Sequence, residues 1–152
     1  MSRPTAAKIK LSSLSHNVTF VKSLAPTAKL MAVIKADAYG HGALAVGRAL
    51  EKAVDAFAVA SLDEAMELRD SEISIPILIL EGVFAPEDLK TCSLNAITTV
   101  IHNFTQIDWL EQTQVENVLN CWLKVDTGMS RLGIGTESIS SSLERLKNVP
   151  HV

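Results

Sequence analysis

Short runs of apolar, largely β-branched residues recur along this chain at intervals of roughly 20–25 residues, the length of one strand-plus-helix unit. They are Leu30–Ile34, Ala56–Ala60, Ile77–Leu80, Ala96–Ile101 and Leu119–Val125. Continuous apolar strands separated by amphipathic stretches demand a parallel sheet whose strands are covered on both faces. A doubly wound domain and a (β/α)8 barrel both use this unit, and periodicity does not separate them. No G-x-G-x-x-G follows the first run, which argues against a dinucleotide fold. The residues richest in chemistry follow the first and fifth runs, at strand C-terminal ends, where barrel sites lie.

The stretches between the strands carry helix signals. Leu14, Val18 and Val21 recur at helical spacing in Leu11–Leu24, with Ser12 or Ser13 available as a cap. Ala45, Ala49 and Ala53 mark one face of a helix over residues 43–53. Ser61 and Glu64 have capping-box spacing ahead of a helix through Arg69. Pro86 suits the first residue of a short helix to Thr91, and Asn103 the cap of one carrying Phe104, Ile107 and Leu110. Ile139, Leu143 and Leu146 predict a last helix, with Thr136 as its cap.

Composition narrows the function classes. Apolar residues make up 47% of the 152 residues, enough for one domain with a core. With 14 basic and 17 acidic residues and no basic stripe, nucleic acid is not an expected partner. Ile75–Leu80 is too short to span a bilayer, and the N-terminus has no apolar signal core, so a cytoplasmic location is expected. Cys92 and Cys121 lack metal-ligand or redox spacing and read as structural thiols, and no metal site is expected. Trp109, Trp122 and Met129 read as packing residues.

Two segments stand out. Ile34-Lys35-Ala36-Asp37-Ala38-Tyr39-Gly40-His41-Gly42 ends an apolar strand on a lysine and turns through a glycine-rich loop. An amine at the mouth of an apolar barrel is desolvated below its free pKa of about 10.4, which frees its lone pair for a carbonyl. By the two-residue strand period, Met31, Val33 and Lys35 share a face, so Val33 is a candidate wall of the same pocket. A strand-end lysine that simply snorkels to water is the plain alternative, and His41 reads as a loop histidine. The second segment is Leu123-Lys124-Val125-Asp126-Thr127-Gly128-Met129-Ser130-Arg131-Leu132-Gly133. Arg131 offers a planar fork suited to a carboxylate. A surface ion pair of Asp126 with Lys124 or Arg131 is its plain alternative, and Asp126 is expected to support the turn.

Both segments resemble the two hallmark motifs of alanine racemases, in that family's order, and the likeness extends from about Ile9 onward. The resemblance implies a pyridoxal 5'-phosphate (PLP) enzyme on a parallel (β/α)8 TIM-type barrel. Residues 1–152 would form its N-terminal part, about five βα units, with the remaining units and a C-terminal β domain lying outside it. A full barrel takes about 250 residues. The resemblance makes Lys35 the cofactor lysine and one of two catalytic bases, and Tyr39 the phosphate ligand. It makes Arg131 the ligand of the substrate carboxylate, and Lys124 a lysine that can be carbamylated to orient that arginine. The implied reaction interconverts L- and D-alanine through a PLP aldimine, supplying D-alanine for peptidoglycan, in a homodimer. The second base in the family is a tyrosine of the β domain, from the other subunit. Tyr39 is the single tyrosine here, so these residues alone are expected to be inactive, and their open sheet edges are expected to self-associate. A non-catalytic single-barrel PLP-binding protein, a broad-specificity amino-acid racemase and, more weakly, a decarboxylase on the same barrel are alternatives. Arg131 counts against the PLP-binding protein.

Overall fold

Five strands lie parallel, side by side in the order the chain makes them: β1 (Met31–Val33), β2 (Ala56–Val59), β3 (Ile77–Ile79), β4 (Ile97–Ile101) and β5 (Cys121–Leu123). This is the topology of the computed structural model, which describes residues 4–152. Each strand hydrogen-bonds only to its sequence neighbours, in a continuous register: Val33 pairs with Ala58, Ala58 with Leu78, and Val100 with Trp122.

The alternation of side chains along each strand divides the core in two. On one face Phe57, Val59, Ile77, Ile79, Ile97 and Ile101 pack against helical residues such as Val46, Leu50, Leu68 and Leu110. On the other, Ala58, Leu78 and Val100 form a second, smaller cluster with Met31 and Leu80. This inner face is less covered: Val33 is 42% and Trp122 56% exposed.

The helices cover the outer face. They are α1 (Leu11–Leu24), α3 (Ala43–Leu50), α4 (Leu62–Asp70), α5 (Asp88–Leu94), α6 (Phe104–Gln112) and α7 (Ile139–Lys147). A six-residue segment, α2 (Lys35–Gly40), whose residues Ala36–Tyr39 are left-handed, lies between β1 and α3. Ser61 Oγ accepts from Glu64 N–H at the start of α4, and Asn103 Oδ1 from Gln106 N–H at the start of α6, as their spacing predicts.

Several local expectations are corrected. Ser12 and Ser13 lie inside α1, which starts from Lys10 without a side-chain cap. The buried face of α3 is Ala43, Val46, Gly47 and Leu50, not the alanine stripe. Pro86 opens a run of tight three-residue bonds (Asp88 N–H to Ala85 O, Leu89 N–H to Pro86 O), and α5 begins only at Asp88. Thr136 opens a 3-10 turn, Thr136–Ser138, ahead of α7 rather than capping that helix. Met129 is 78% exposed and Trp122 faces the uncovered side of the sheet, so neither packs in a core, whereas Trp109 does.

At the N-terminal end of the strands, Arg69 gathers four backbone carbonyls. Nε donates to Asn95 O at 2.9 Å, Nη1 to Ile73 O at 2.7 Å and Ile75 O at 2.8 Å, and Nη2 to Ala96 O at 3.0 Å. One guanidinium thus joins α4 to the chain entering β3 and β4. Among the described residues, no helix is long and apolar enough to cross a membrane.

Candidate active site

The segment after β1 has an unusual backbone. Ala36, Asp37, Ala38 and Tyr39 all have left-handed dihedrals, with φ between 52° and 55°. Such a conformation costs an L-residue roughly 1–2 kcal/mol, so four in succession persist only where the surroundings hold them. The restraints are visible. Ala38 N–H donates to Ile34 O at 2.9 Å and Gly42 N–H to Asp37 O at 3.0 Å. Asp37 Oδ1 accepts from Ala43 N–H at 2.6 Å, tying the turn to the first residue of α3. Glu64 Oε1 accepts from Ala36 N–H at 2.7 Å, while its Oε2 accepts from Ala60 N–H at 2.8 Å. The Ala38 side chain is buried beneath the turn.

Lys35 stands at the head of this turn, two residues beyond Val33, and is half-buried. Its amine makes no ion pair and no hydrogen bond among the described residues. Tyr39 is 62% exposed, which leaves its hydroxyl available to a ligand. His41 folds back on its own loop: Nδ1 lies 2.8 Å from Ala38 O and 3.2 Å from Tyr39 O, so that nitrogen carries the proton. Gly40 and Gly42 have φ of +80° and +89°, which favours glycine, and a Cβ on Gly40 would meet no atom within 4 Å. Space is therefore open beside the backbone between Tyr39 and Ala43. An amine, a phenol and an uncrowded glycine backbone, all on this one loop, are the kinds of group that an aldehyde-bearing phosphate ester such as PLP would require.

The second corner is built at the end of β5. Lys124 N–H donates to Ile101 O at 2.8 Å and continues the ladder beyond the strand. Its carbonyl accepts from Ile134 N–H at 2.8 Å, and Asp126 N–H donates to Ile134 O at 2.9 Å, so residues 126–133 form a loop closed at its base. Asp126 Oδ1 organises the inside of that loop, accepting from Gly128 N–H at 2.9 Å and Ser130 N–H at 3.0 Å. These bonds, Ser130 first and Gly128 next, hold the Asp126 carboxyl below the usual carboxylate range, against a small opposing desolvation. Gly133 has φ +139°, and a Cβ there would lie 2.5 Å from Asp126 N. Asp126 thus supports the turn, and neither of its alternative ion pairs forms among the described residues. Lys124 is half-buried, while Arg131 stands exposed on the loop.

Lys35 and Arg131 follow the two edge strands of the sheet, which lie four strand spacings apart, about 19 Å measured along the sheet. Closed into an eight-strand barrel, the first and fifth strands would face each other across the mouth. Burial pushes the Cys92 and Cys121 thiols up to about 12, with a smaller contribution from Asp88 to Cys92 and from Cys92 to Cys121, so neither is a nucleophile.

Sequence reasoning missed Glu64 and Asp37 as supports of the lysine turn. Glu64 was legible only as a capping-box partner, because its bond to Ala36 spans two βα units.

Parallel βα units with an amine and a guanidinium presented beyond the strands' C-terminal ends define the ligand-binding rim of a barrel enzyme. The family is shown by comparison. A model described as alanine racemase, N-terminal domain, matches residues 9–152. The chain is 45% identical over 150 residues to the alanine racemase of Mannheimia succiniciproducens, covering 99% of this chain and 42% of that one. It is 48% identical over 146 residues to that of Hamiltonella defensa, covering 96% of this chain and 40% of the relative. The crystal structure of the biosynthetic alanine racemase from Pseudomonas aeruginosa superposes with a TM-score of 0.89 at 39% identity, over 93% of this chain and 40% of that one. The chain belongs to the alanine racemase family and corresponds to its N-terminal domain, part of a TIM-type barrel. It spans about 42% of the length of the curated relative from Mannheimia.

Proposed function

We propose that this chain supplies the cofactor half of an alanine racemase active site. The observation that carries the reading is the left-handed turn Ala36–Tyr39 that follows Lys35 at the end of β1, in a member of this family whose β5 leads into the Arg131 loop. Lys35, Tyr39 and Val33 are the residues that would hold PLP: the lysine amine at the aldehyde, the phenol at the phosphate, and the valine as an apolar wall. When bound, PLP withdraws electrons from the substrate Cα and acidifies its C–H bond.

The chain's own residues divide the remaining work. Lys35 Nζ serves one face of the substrate, taking the Cα proton there in one direction of the reaction and delivering a proton there in the other. Arg131 takes the substrate carboxylate in a bidentate grip and fixes which bond points at that amine. Lys124 takes up CO2 through the free-amine form of Nζ with loss of a proton, and the resulting carbamate anion pairs with the Arg131 guanidinium. Racemisation needs a second base on the opposite face. Tyr39, the single tyrosine of the sequence, is committed to the phosphate, so that base comes from other residues of a homodimeric enzyme. We infer a cytoplasmic enzyme supplying D-alanine for peptidoglycan.

The test is covalent capture. Incubation of the chain with PLP, borohydride reduction and peptide mapping should place the label on Lys35, and Lys35→Ala should remove it. Label spread over surface lysines would refute the assignment. The 152 residues alone should leave L-alanine unchanged, and detectable D-alanine would contradict the second-base reasoning. With β1 and β5 offering unpaired edges, sedimentation should show self-association at micromolar concentration; a monodisperse monomer would count against it.

A further inference from the structure

We propose that Glu64 is a positioning residue for Lys35, holding the left-handed turn in place before any cofactor arrives. The inference rests on the assignment of Lys35 made above, and the geometry of the clamp stands apart from it. Both carboxylate oxygens of Glu64 are used, each by a different βα unit. Oε1 takes Ala36 N–H, the peptide immediately after Lys35, at 2.7 Å, and Oε2 takes Ala60 N–H at the end of β2 at 2.8 Å. The carboxylate therefore stands where a capping-box glutamate would bond its own N-cap backbone, but reaches across to the neighbouring loop instead.

The position matters because Ala36 is where the chain leaves β1 and enters four consecutive left-handed residues. At the far end of that stretch Asp37 Oδ1 holds Ala43 N–H at 2.6 Å. A conformation that alanine and tyrosine do not choose for themselves is thus anchored at both ends by carboxylates. Only the Glu64 anchor comes from outside the turn, and the contact of Ser61 Oγ with Glu64 N–H, at 3.5 Å, is too long to contribute much to holding it. Loss of that anchor frees the peptide next to the lysine, so the direction of the amine is set through the Ala36 N–H bond.

The experiment compares the full chain with Glu64→Gln and Ser61→Ala. Glu64→Gln keeps the side-chain shape but loses the charge and one of two acceptors. Ser61→Ala weakens the same helix start without touching Ala36. Backbone amide exchange is measured by NMR without cofactor, and borohydride-fixed PLP at Lys35 is timed separately. In Glu64→Gln, exchange at Ala36 should rise about tenfold to a hundredfold, as loss of a charge-assisted bond predicts. Labelling of Lys35 should slow, and Ser61→Ala should change neither. Unchanged exchange at Ala36, or an equal rise in Ser61→Ala, would overturn the proposal. Should Glu64→Gln fail to fold, Glu64→Asp, whose shorter carboxylate cannot span both N–H groups, is judged by the same readings. If Ala36 responds selectively while wild-type Lys35 takes no label, the clamp stands and the cofactor assignment falls.

Discussion

Replacing Arg69 by alanine should unfold this sheet far more easily than its place at the edge of the molecule suggests. The guanidinium makes four hydrogen bonds of 2.7–3.0 Å to the carbonyls of Ile73, Ile75, Asn95 and Ala96. Burial pulls its pKa down, opposed by Glu51, so it is partly withdrawn from water. A bond from a charged donor contributes about 1.5–3 kcal/mol when buried. Here water can reach the freed carbonyls, and about 1 kcal/mol per bond is the fairer figure, giving a loss of roughly 3–4 kcal/mol. Against a typical stability of about 5–15 kcal/mol that is a large fraction. With a urea slope near 2 kcal/mol/M, the unfolding midpoint should fall by about 1.5–2 M. Arg69→Lys keeps the charge but presents its donors from one point, so it should recover about half the loss. A decrease below about 1 kcal/mol for Arg69→Ala, or full recovery by lysine, would refute the reasoning that the forked geometry joins the entries to β3 and β4.

Gly133→Ala should open the Arg131 loop, because the new Cβ meets Asp126 N at 2.5 Å and Val125 C at 2.9 Å, both backbone atoms, at a φ of +139°; loss of protection at Asp126 and Ile134 amides by exchange checks it. Asp126 has a depressed native pKa, so its support of the loop is present above the ordinary carboxylate pKa and lost as pH falls through the depressed native value. Gly128 and Ser130 amide shifts should titrate in that acid range, and Asp126→Asn should abolish the titration. Cys92 and Cys121, their thiols pushed up to about 12 by burial, should resist iodoacetamide at neutral pH until denaturant is added, read by intact mass.

The inner strands β2 and β3 were legible because fully buried parallel strands read as uninterrupted apolar runs, and Phe57, Ile77 and Ile79 are indeed wholly inaccessible. The buried side of α3 was not, since alanines at 45, 49 and 53 suggest a face while Gly47 actually sets it: the Leu68 side chain lies 3.5 Å from where its Cβ would be. The left-handed turn was equally hidden. Nothing in Ala-Asp-Ala-Tyr announces four positive φ in succession, and although Asp37 bonds Ala43 locally, the Glu64 carboxylate that holds Ala36 N–H comes from another βα unit. Lys35, Tyr39, Lys124 and Arg131 could be singled out as a pattern at strand ends, but their separation across the sheet depends on strand order, which residue spacing alone does not give.

That order has a mechanical meaning. With the lysine turn on one outermost strand and the arginine loop on the other, a ligand gripped by both would act as a tie rod across a hoop, resisting any flattening of the staves between. Its hold would then report on the curvature of the whole sheet, and a small error in how β2, β3 and β4 are stacked would be felt as a misfit several strands away.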